Sequence, residues 1–171
     1  MNQRADLRNA ANYWEEKEKT GRKLEKAKLQ EQIERYLCSK NTCALATGTG
    51  EYVRCTPIEY SWHDGCFWMF SEGGKKFIGL AENPNVCLAI FDPYEGFGKL
   101  RGIQVSGKAE LIEPFSPLYL AHADHQKIPI QALRQLSHPM HLIRVTPVQF
   151  ECLFSEWKEL GYSSRQTWIL E

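Results

Sequence analysis

The spacing of apolar and polar positions changes once along the chain, near residue 41. Before that point apolar residues recur at roughly helical spacing, while Gln, Glu and Lys fill the other positions. The apolar positions are Leu24, Leu29, Ile33, Tyr36 and Leu37. We therefore predict helix over the first forty residues, interrupted at Thr20-Gly21. Such a narrow apolar stripe is typical of a helix that lies on a protein body or on a partner subunit.

Beyond residue 41, short runs rich in β-forming residues alternate with turn sequences. They predict six strands, over residues 43–47, 52–62, 66–71, 86–92, 100–112 and 141–153. The sequences Gly48-Thr49-Gly50 and His63-Asp64-Gly65 have the character of hairpin turns. Within the last two strands, Gly102, Gly107 and Pro147 mark expected bends or bulges. Short helices are predicted over residues 75–82, 117–125 and 130–136. This set indicates a mainly β fold, a small six-stranded antiparallel barrel with flanking helices.

The length of 171 residues suits a single domain, and neither a repeat nor a linker divides it. We expect residues 1–40 to form an N-terminal helical extension and residues 41–171 to form the barrel. An apolar content of 43% with 12% aromatic residues excludes a disordered chain. The sequence therefore predicts one globular domain with an added helical segment.

Charge and targeting signals narrow the class of protein further. The 21 basic residues balance the 21 acidic ones, so the chain lacks the positive charge that is typical of nucleic-acid-binding proteins. Its longest apolar runs are far shorter than the roughly 18 residues of a membrane span. The first ten residues contain no apolar stretch that resembles a secretory signal. We expect a cytoplasmic protein that binds neither nucleic acid nor membrane.

The cysteines and histidines offer candidate metal ligands. None of the six cysteines forms a C-x-x-C pair, and those at 43, 66 and 87 lie in apolar strands, where we expect them to be buried and reduced. A zinc site is not expected. His122 and His125 are three residues apart on a predicted helix, a spacing that suits either a metal or haem site or an ordinary exposed pair.

The segment from residue 54 to residue 80 contains the clearest candidate chemistry. Arg54 lies within a predicted strand, and one hairpin later Ser71-Glu72-Gly73-Gly74-Lys75-Lys76 leads into a helix. A hydroxyl, two glycines, two lysines and a helix start suit a phosphate group, and Arg54 adds a planar donor. The same residues also suit a solvated turn beside an ordinary strand arginine, and the pattern alone leaves both interpretations open.

Taken in order, these elements resemble the pyridoxamine 5′-phosphate oxidase-like, FMN-binding split barrels. The resemblance covers roughly residues 30–150. It rests on the opening strand, Arg54, and the segments 67–71, 75–86, 101–111 and 142–147. It implies a homodimer with FMN at the interface. The residues that match the family's phosphate-binding positions are Arg54, Ser71, Lys75 and Lys76, and those that match its flavin-lining strands are Cys55, Thr56 and Phe70.

The chain also departs from the parent oxidase. Glu59 replaces a substrate-contacting lysine, Gly102 replaces a flavin-contacting glutamine, and no arginine lies between Arg101 and Arg134 to hold a substrate phosphate. Vitamin B6 synthesis is therefore not expected.

The resemblance implies an FMN-dependent oxidoreductase, similar to flavin reductases or nitroreductases, that acts on a small organic molecule with NAD(P)H as a candidate reductant. No catalytic residue is assigned. The alternative is a carrier or sensor that binds FMN or haem without turnover. The aromatic residues Trp157, Tyr162 and Trp168 suit either stacking on a ligand or packing at the end of the barrel, and we favour packing.

Overall fold

A computed structural model describes the backbone of residues 3–170 and the side chains of residue 7 and residues 9–170. Two helices come first, α1 (Gln3–Thr20) and α2 (Lys26–Cys38). Between them the chain passes so close to Ser163 that a Cβ on Gly21 would lie 1.9 Å from its Oγ, so any larger residue at this break would displace the Ser163 side chain. Within residues 3–170, no helix combines the length and the apolar character that a membrane crossing requires.

Eight strands follow, and every pair of neighbours is antiparallel. They are β1 (Thr42–Thr49), β2 (Tyr52–Glu59), β3 (Ser61–His63), β4 (Cys66–Ser71), β5 (Asn85–Phe91), β6 (Arg101–Ile112), β7 (His141–Phe154) and β8 (Arg165–Ile169). Their order in the sheet is β2-β1-β5-β6-β7-β4-β3, and β8 pairs with β7. Three helices connect them: α3 (Lys76–Leu80), α4 (Pro117–His125) and α5 (Ile130–Arg134).

The sheet curls into a half-barrel around the long strand β7. This strand pairs with β6 along its whole length, with β4 near its start and with β8 near its end. The register between β6 and β7 shifts between Ser106 and Gly107, which confirms the bulge predicted there. A Cβ on Gly107 would lie 2.7 Å from a methyl carbon of Val145, so glycine permits the close approach of the two strands.

The split-barrel fold is confirmed, but the expected count of six strands is wrong. The predicted strand over residues 52–62 divides at Tyr60, whose side chain is buried and whose hydroxyl donates to the carbonyl of Leu37 at 2.9 Å. The apolar alternation continues through this point, so the pattern does not reveal the break. The eighth strand lies in the C-terminal segment, for which the sequence predicts no state.

Two apolar clusters lie on opposite sides of the sheet. The larger one joins α2 to the inner face, with Ile33, Leu45 and Phe150 fully buried. The smaller one packs α4 and α5 on the outer face of β4, around Trp68 and Tyr119. The C-terminal aromatic residues Trp157, Tyr162 and Trp168 pack on the larger cluster, as expected.

One expectation about the cysteines is wrong. Cys43 is buried, but Cys66 is only partly buried and Cys87 is exposed. Successive side chains of a strand point to opposite faces, and on β5 the inward positions belong to Val86 and Leu88. Cys87 therefore faces outward in this chain.

Candidate functional site

A buried lysine and an exposed arginine lie near each other where β2 passes the start of α3. Lys76 is only 6% exposed, and its ammonium donates to the carbonyl of Gly73. Burial lowers the pKa of Lys76, and the nearby Arg54 guanidinium lowers it further. Neither cation is paired with a carboxylate within the part of the chain that the structure describes. The pair is therefore an electrostatically unfavourable arrangement that an anion would relieve.

The turn before α3 leaves open space beside this pair. Ser71 is buried, and its hydroxyl both donates to the Gly73 carbonyl at 3.1 Å and accepts from the Gly73 amide at 3.3 Å. Gly74 has a φ of +108°, a conformation that L side chains rarely adopt, and a Cβ there would lie 3.5 Å from the Lys76 ammonium. Glycine therefore keeps the space next to the ammonium free of side chains.

Helix α3 is held close to β1 by a glycine. A Cβ on Gly79 would lie 2.8 Å from the amide nitrogen of Gly48 and 3.0 Å from the Cβ of Thr47. The side-chain amide of Asn83, just beyond the helix, donates to the Gly48 carbonyl at 2.9 Å. Because α3 has only five residues, its dipole is small and the two cations are the main source of positive potential.

The alternation of side chains along β2 separates residues that are adjacent in sequence. Arg54 pairs with Thr47 and Thr56 pairs with Leu45, and these partners face the interior of the barrel. Cys55 lies between them and is exposed on the opposite face, so only its backbone is available to a ligand beside Arg54. The Oγ1 atoms of Thr47 and Thr56 are buried without a hydrogen-bond partner among the described residues, and a bound polar group would satisfy them.

The structure therefore brings together only part of the predicted site. Ser71 and Lys76 both bond to the glycine turn (Gly73-Gly74), and Arg54 lies close enough to lower the pKa of Lys76. Thr56 shares the face of Arg54. The side chains of Arg54 and Lys75 are both exposed, and a neighbouring strand engages Lys75 only through its carbonyl. Phe70 packs against Tyr119 and His122 on the outer side of β4, in a second recess.

That recess is a cavity of about 400 Å³ between β4 and the segment that contains α4 and α5. Its walls are largely aromatic and apolar. The lining residues are Glu59, Tyr60, Ser61, Trp68, Phe70, His122, Gln126, Ile128, Leu133 and Met140. The Oγ atom of Ser61 is buried there and is another hydroxyl without a partner in residues 3–170. A cavity of this size suits a small organic molecule.

Next to the cavity lies a cluster of three histidines, in which His63 joins the pair of His122 and His125 that the sequence singles out. The sequence does not predict the part of His63. The Nε2 atom of His63 lies 3.0 Å from Nδ1 of His122, and the His63 and His125 rings stack with centroids 3.9 Å apart. Burial and, to a smaller extent, the neighbouring imidazoles of His63 and His125 together lower the pKa of His122 to about 4. The feature of the sequence that could have indicated this contact is the His63-Asp64-Gly65 hairpin, because the tip of a hairpin can contact another element of the fold. Within residues 3–170, no group of three or more His, Cys, Asp and Glu side chains is arranged to hold a metal ion.

Several solved structures share this fold. A FAD-binding protein from Mesorhizobium loti is 20% identical, with a TM-score of 0.58 over 71% of this chain and 89% of that one. A haem storage protein from Vibrio cholerae is 18% identical, with a TM-score of 0.57 over 70% of this chain and 89% of that one. A conserved hypothetical protein from Mycobacterium tuberculosis is 20% identical, with a TM-score of 0.64 over 85% and 94% of the two chains. At these identities the similarity establishes the fold alone.

No curated protein matches the sequence. The family model described as pyridoxamine 5′-phosphate oxidase matches residues 29–153, which is more than half of the chain. The matched range contains β1 to β6, the glycine turn, Arg54, Lys76 and almost all of β7. The chain therefore belongs to the pyridoxamine 5′-phosphate oxidase family.

Proposed function

We propose that this protein is an FMN-dependent oxidoreductase that acts on a small organic molecule, with a nicotinamide nucleotide as reductant. The observation that carries the proposal is the pair of Lys76 and Arg54, two neighbouring cations without a carboxylate partner in the described part of the chain. FMN would supply hydride transfer when bound, while the protein holds and orients it.

The phosphate of FMN fits this site on electrostatic grounds. A dianion between the ammonium and the guanidinium would stabilise both charges and offset the unfavourable burial of Lys76. Ser71, which borders the same turn, adds a hydroxyl. In this proposal Arg54, Ser71 and Lys76 hold the phosphate, and the exposed Lys75 contributes only long-range attraction.

The flavin ring would lie along the free edge of β2. This strand lies at one end of the described sheet, so one edge of its backbone pairs with no other strand. The polar edge of an isoalloxazine ring requires such N–H and C=O groups, and the backbone of Cys55 and Thr56 offers them next to Arg54. The orphaned hydroxyl of Thr56 supports the same placement.

We also propose a homodimer with FMN at its interface. Support comes from the outer face of β1, β2 and β5, which carries small or apolar side chains where a solvated sheet would carry charged ones. Ala44, Ala46 and Ala89 are only partly buried there, and Val53 is 79% exposed. A second copy that covers this face would bury the patch and reach the adjacent edge of β2.

The substrate is not expected to be a pyridoxine phosphate. That substrate needs a second phosphate clamp, and no arginine lies between Arg101 and Arg134 to provide one. The cavity beside Phe70 is instead bounded mainly by aromatic and apolar groups. We therefore infer an uncharged planar acceptor, such as a quinone or a nitro compound.

The affinity for FMN directly tests the proposed phosphate site of Arg54, Ser71 and Lys76. We expect Lys76→Ala and Arg54→Ala each to weaken FMN binding about 10- to 100-fold, because a hydrogen bond to a charged group contributes about 1.5–3 kcal/mol. Lys75→Ala is the matched control, since it removes the same charge one residue away from the buried position. Riboflavin, which lacks the phosphate, should bind all four proteins with similar affinity. Equal FMN affinity of the Lys75 and Lys76 variants would contradict the proposal.

A second candidate is a carrier or sensor that binds flavin or haem without turnover. The observation that favours it is His122 in the wall of a largely apolar cavity, because imidazole is a common axial ligand of haem iron. The absorption spectrum of the purified protein separates the two functions. A flavin spectrum that bleaches with a nicotinamide nucleotide and recovers with an acceptor supports the enzyme. A haem spectrum, or bound flavin that no nicotinamide nucleotide reduces, supports the carrier.

A further inference from the structure

Three side chains form a continuous line of hydrogen bonds from the protein surface to the aromatic cavity. The line begins at Asp64, whose side chain is 85% exposed and whose Oδ2 lies 2.9 Å from Nδ1 of His63. It continues from Nε2 of His63 to Nδ1 of His122 at 3.0 Å. His122 is only 3% exposed and borders the cavity. A path for protons therefore runs from the solvent to the wall of the cavity at His122.

The chemistry of the groups dictates where the protons lie. The Asp64 carboxylate only accepts, so Nδ1 of His63 carries a proton. When His63 is neutral, its Nε2 carries no proton and accepts a hydrogen bond from Nδ1–H of His122. Nε2 of His122 is then bare as well, and it is an acceptor with no protein partner within the described residues.

Protonation of His63 reverses the direction of the hydrogen bond between His63 and His122. A doubly protonated His63 donates from Nε2 to Nδ1 of His122, so the proton of the neutral His122 moves to its own Nε2. The burial that lowers the pKa of His122 to about 4 keeps this imidazole neutral in both states. Nε2 of His122 thus changes from an acceptor to a donor of hydrogen bonds, while the His122 ring stays uncharged.

We propose that Asp64, His63 and His122 form a proton relay, and that the cavity binds a planar aromatic ligand whose hydroxyl or ring nitrogen exchanges a proton with Nε2 of His122. The rings of His63 and His122 lie within 16° of parallel to the Trp68 ring, and of these three rings those of Trp68 and His122 line the cavity that a flat ligand would enter. This inference concerns the cavity in which we place the substrate, and it goes beyond the proposed function because it requires neither flavin nor a nicotinamide nucleotide.

The transfer balances in protons and charge. In the forward direction the Nε2–H bond of His122 breaks and an O–H or N–H bond forms on the ligand. At the same time the Nε2–H bond of His63 breaks and the Nδ1–H bond of His122 forms. The positive charge leaves His63 and arrives on the ligand, and water restores the proton of His63 from the exposed side.

The surroundings of His63 contain few other charges. Asp64 lies on its own hairpin, and His122 and His125 face it from α4. Behind Trp68, the Arg144 guanidinium is 5.6 Å from the ring centroid and is paired with Glu110. Glu59 lies on the far wall of the same cavity. The Asp64 carboxylate is the only anion in direct contact with His63 among the described residues, so it determines which nitrogen of His63 holds the proton.

Nitrogen NMR of the full chain labelled with ¹⁵N-histidine tests the relay. At neutral pH we expect the uncommon tautomer of His122, with the proton on Nδ1, and a change to Nε2–H as His63 is protonated. Asp64→Gly, which suits the positive φ of that position, should give Nε2–H already at neutral pH, whereas Asp64→Asn keeps an acceptor and should behave as the wild type. A wild-type His122 with its proton on Nε2 at neutral pH would overturn the relay, as would no response to Asp64→Gly.

Ligand recognition is tested with 4-nitrophenol and with 4-nitroanisole, which has the same ring but no hydroxyl. We expect 4-nitrophenol to bind the wild type, His122→Phe to weaken it at least about tenfold, and His138→Phe, at an exposed position outside the cavity, to leave it unchanged. The affinity for 4-nitroanisole should be equal in all three proteins. No binding of 4-nitrophenol to the wild type, or equal binding to His122→Phe, would overturn the ligand assignment. Because FMN affinity is not measured here, neither result depends on the flavin site.

Discussion

The phenol of Tyr52 donates a 3.0 Å hydrogen bond to the carbonyl of Lys75, and this bond ties β2 to the residue that precedes α3. Arg54 lies two residues along the strand from Tyr52, and Lys76 follows Lys75 directly. One hydrogen bond therefore connects the backbone segments that present both cations. Tyr52 acts on the candidate phosphate site by position, without contributing a charge.

Removal of this hydrogen bond should loosen the cationic pair. We expect Tyr52→Phe to weaken FMN binding about two- to tenfold, because a neutral hydrogen bond contributes about 0.5–1.5 kcal/mol. The free energy of unfolding should change little, since the hydroxyl is exposed to water. Fluorescence titration with FMN measures the effect. Tyr94→Phe, on the exposed loop after β5, is the control and should bind FMN as the wild type does.

The contact of Gly79 with β1 gives a prediction about both stability and binding. Gly79→Ala should displace α3, because the new methyl group would lie 2.8 Å from the backbone of Gly48. We expect a loss of about 1–3 kcal/mol in the free energy of unfolding, as for other overpacked positions, together with weaker FMN binding. Gly98→Ala is the matched control, because a Cβ there would meet no atom within 4 Å. If urea unfolding gives the same stability for both variants, the close packing of α3 is not required.

Acidification should destabilise the protein through His122. Its pKa falls from 6.5 in the unfolded chain to about 4 in the fold, so between these values the unfolded state binds the extra proton. The contribution of His122 is therefore complete above pH 6.5 and decreases by up to about 3 kcal/mol as the pH falls towards 4. Urea unfolding at several pH values measures it. His122→Phe should flatten this slope and His138→Phe should not; parallel slopes in both variants would argue against a buried neutral imidazole.

The proposed dimer makes the outer face of β1 a sensitive position. We expect Ala46→Arg to convert the protein to a monomer and to weaken FMN binding, since a buried unpaired charge is costly at an interface. Light scattering coupled to size-exclusion chromatography measures the mass. Leu160→Arg places the same charge at an exposed site after β7 and should leave a dimer. A wild-type monomer that binds FMN tightly would contradict the interface.

Local chemistry was enough to predict much of the fold and part of the site. Strand periodicity from residue 41 onward, the turn glycines and the proline at the start of α4 specify local conformation, and the structure confirms these elements. The glycine turn followed by two lysines indicated a candidate phosphate site, although the same residues also suited a solvated turn. The pattern did not predict the division at Tyr60 or the strand β8, because both depend on distant partners. Tyr60 bonds to the carbonyl of Leu37, and β8 pairs with the last part of β7.

By itself, the sequence determined that the chain forms an antiparallel barrel and that its candidate phosphate ligands lie between residues 54 and 76. Only the tertiary structure distinguishes Lys75 from Lys76 and leads us to propose Lys76 as the phosphate ligand, because neighbouring lysines are equivalent until packing buries one and exposes the other. It also brought His63 to His122 across 59 positions. Contacts between distant segments follow from how the sheet curls, and that curl depends on the energy of the whole packed chain.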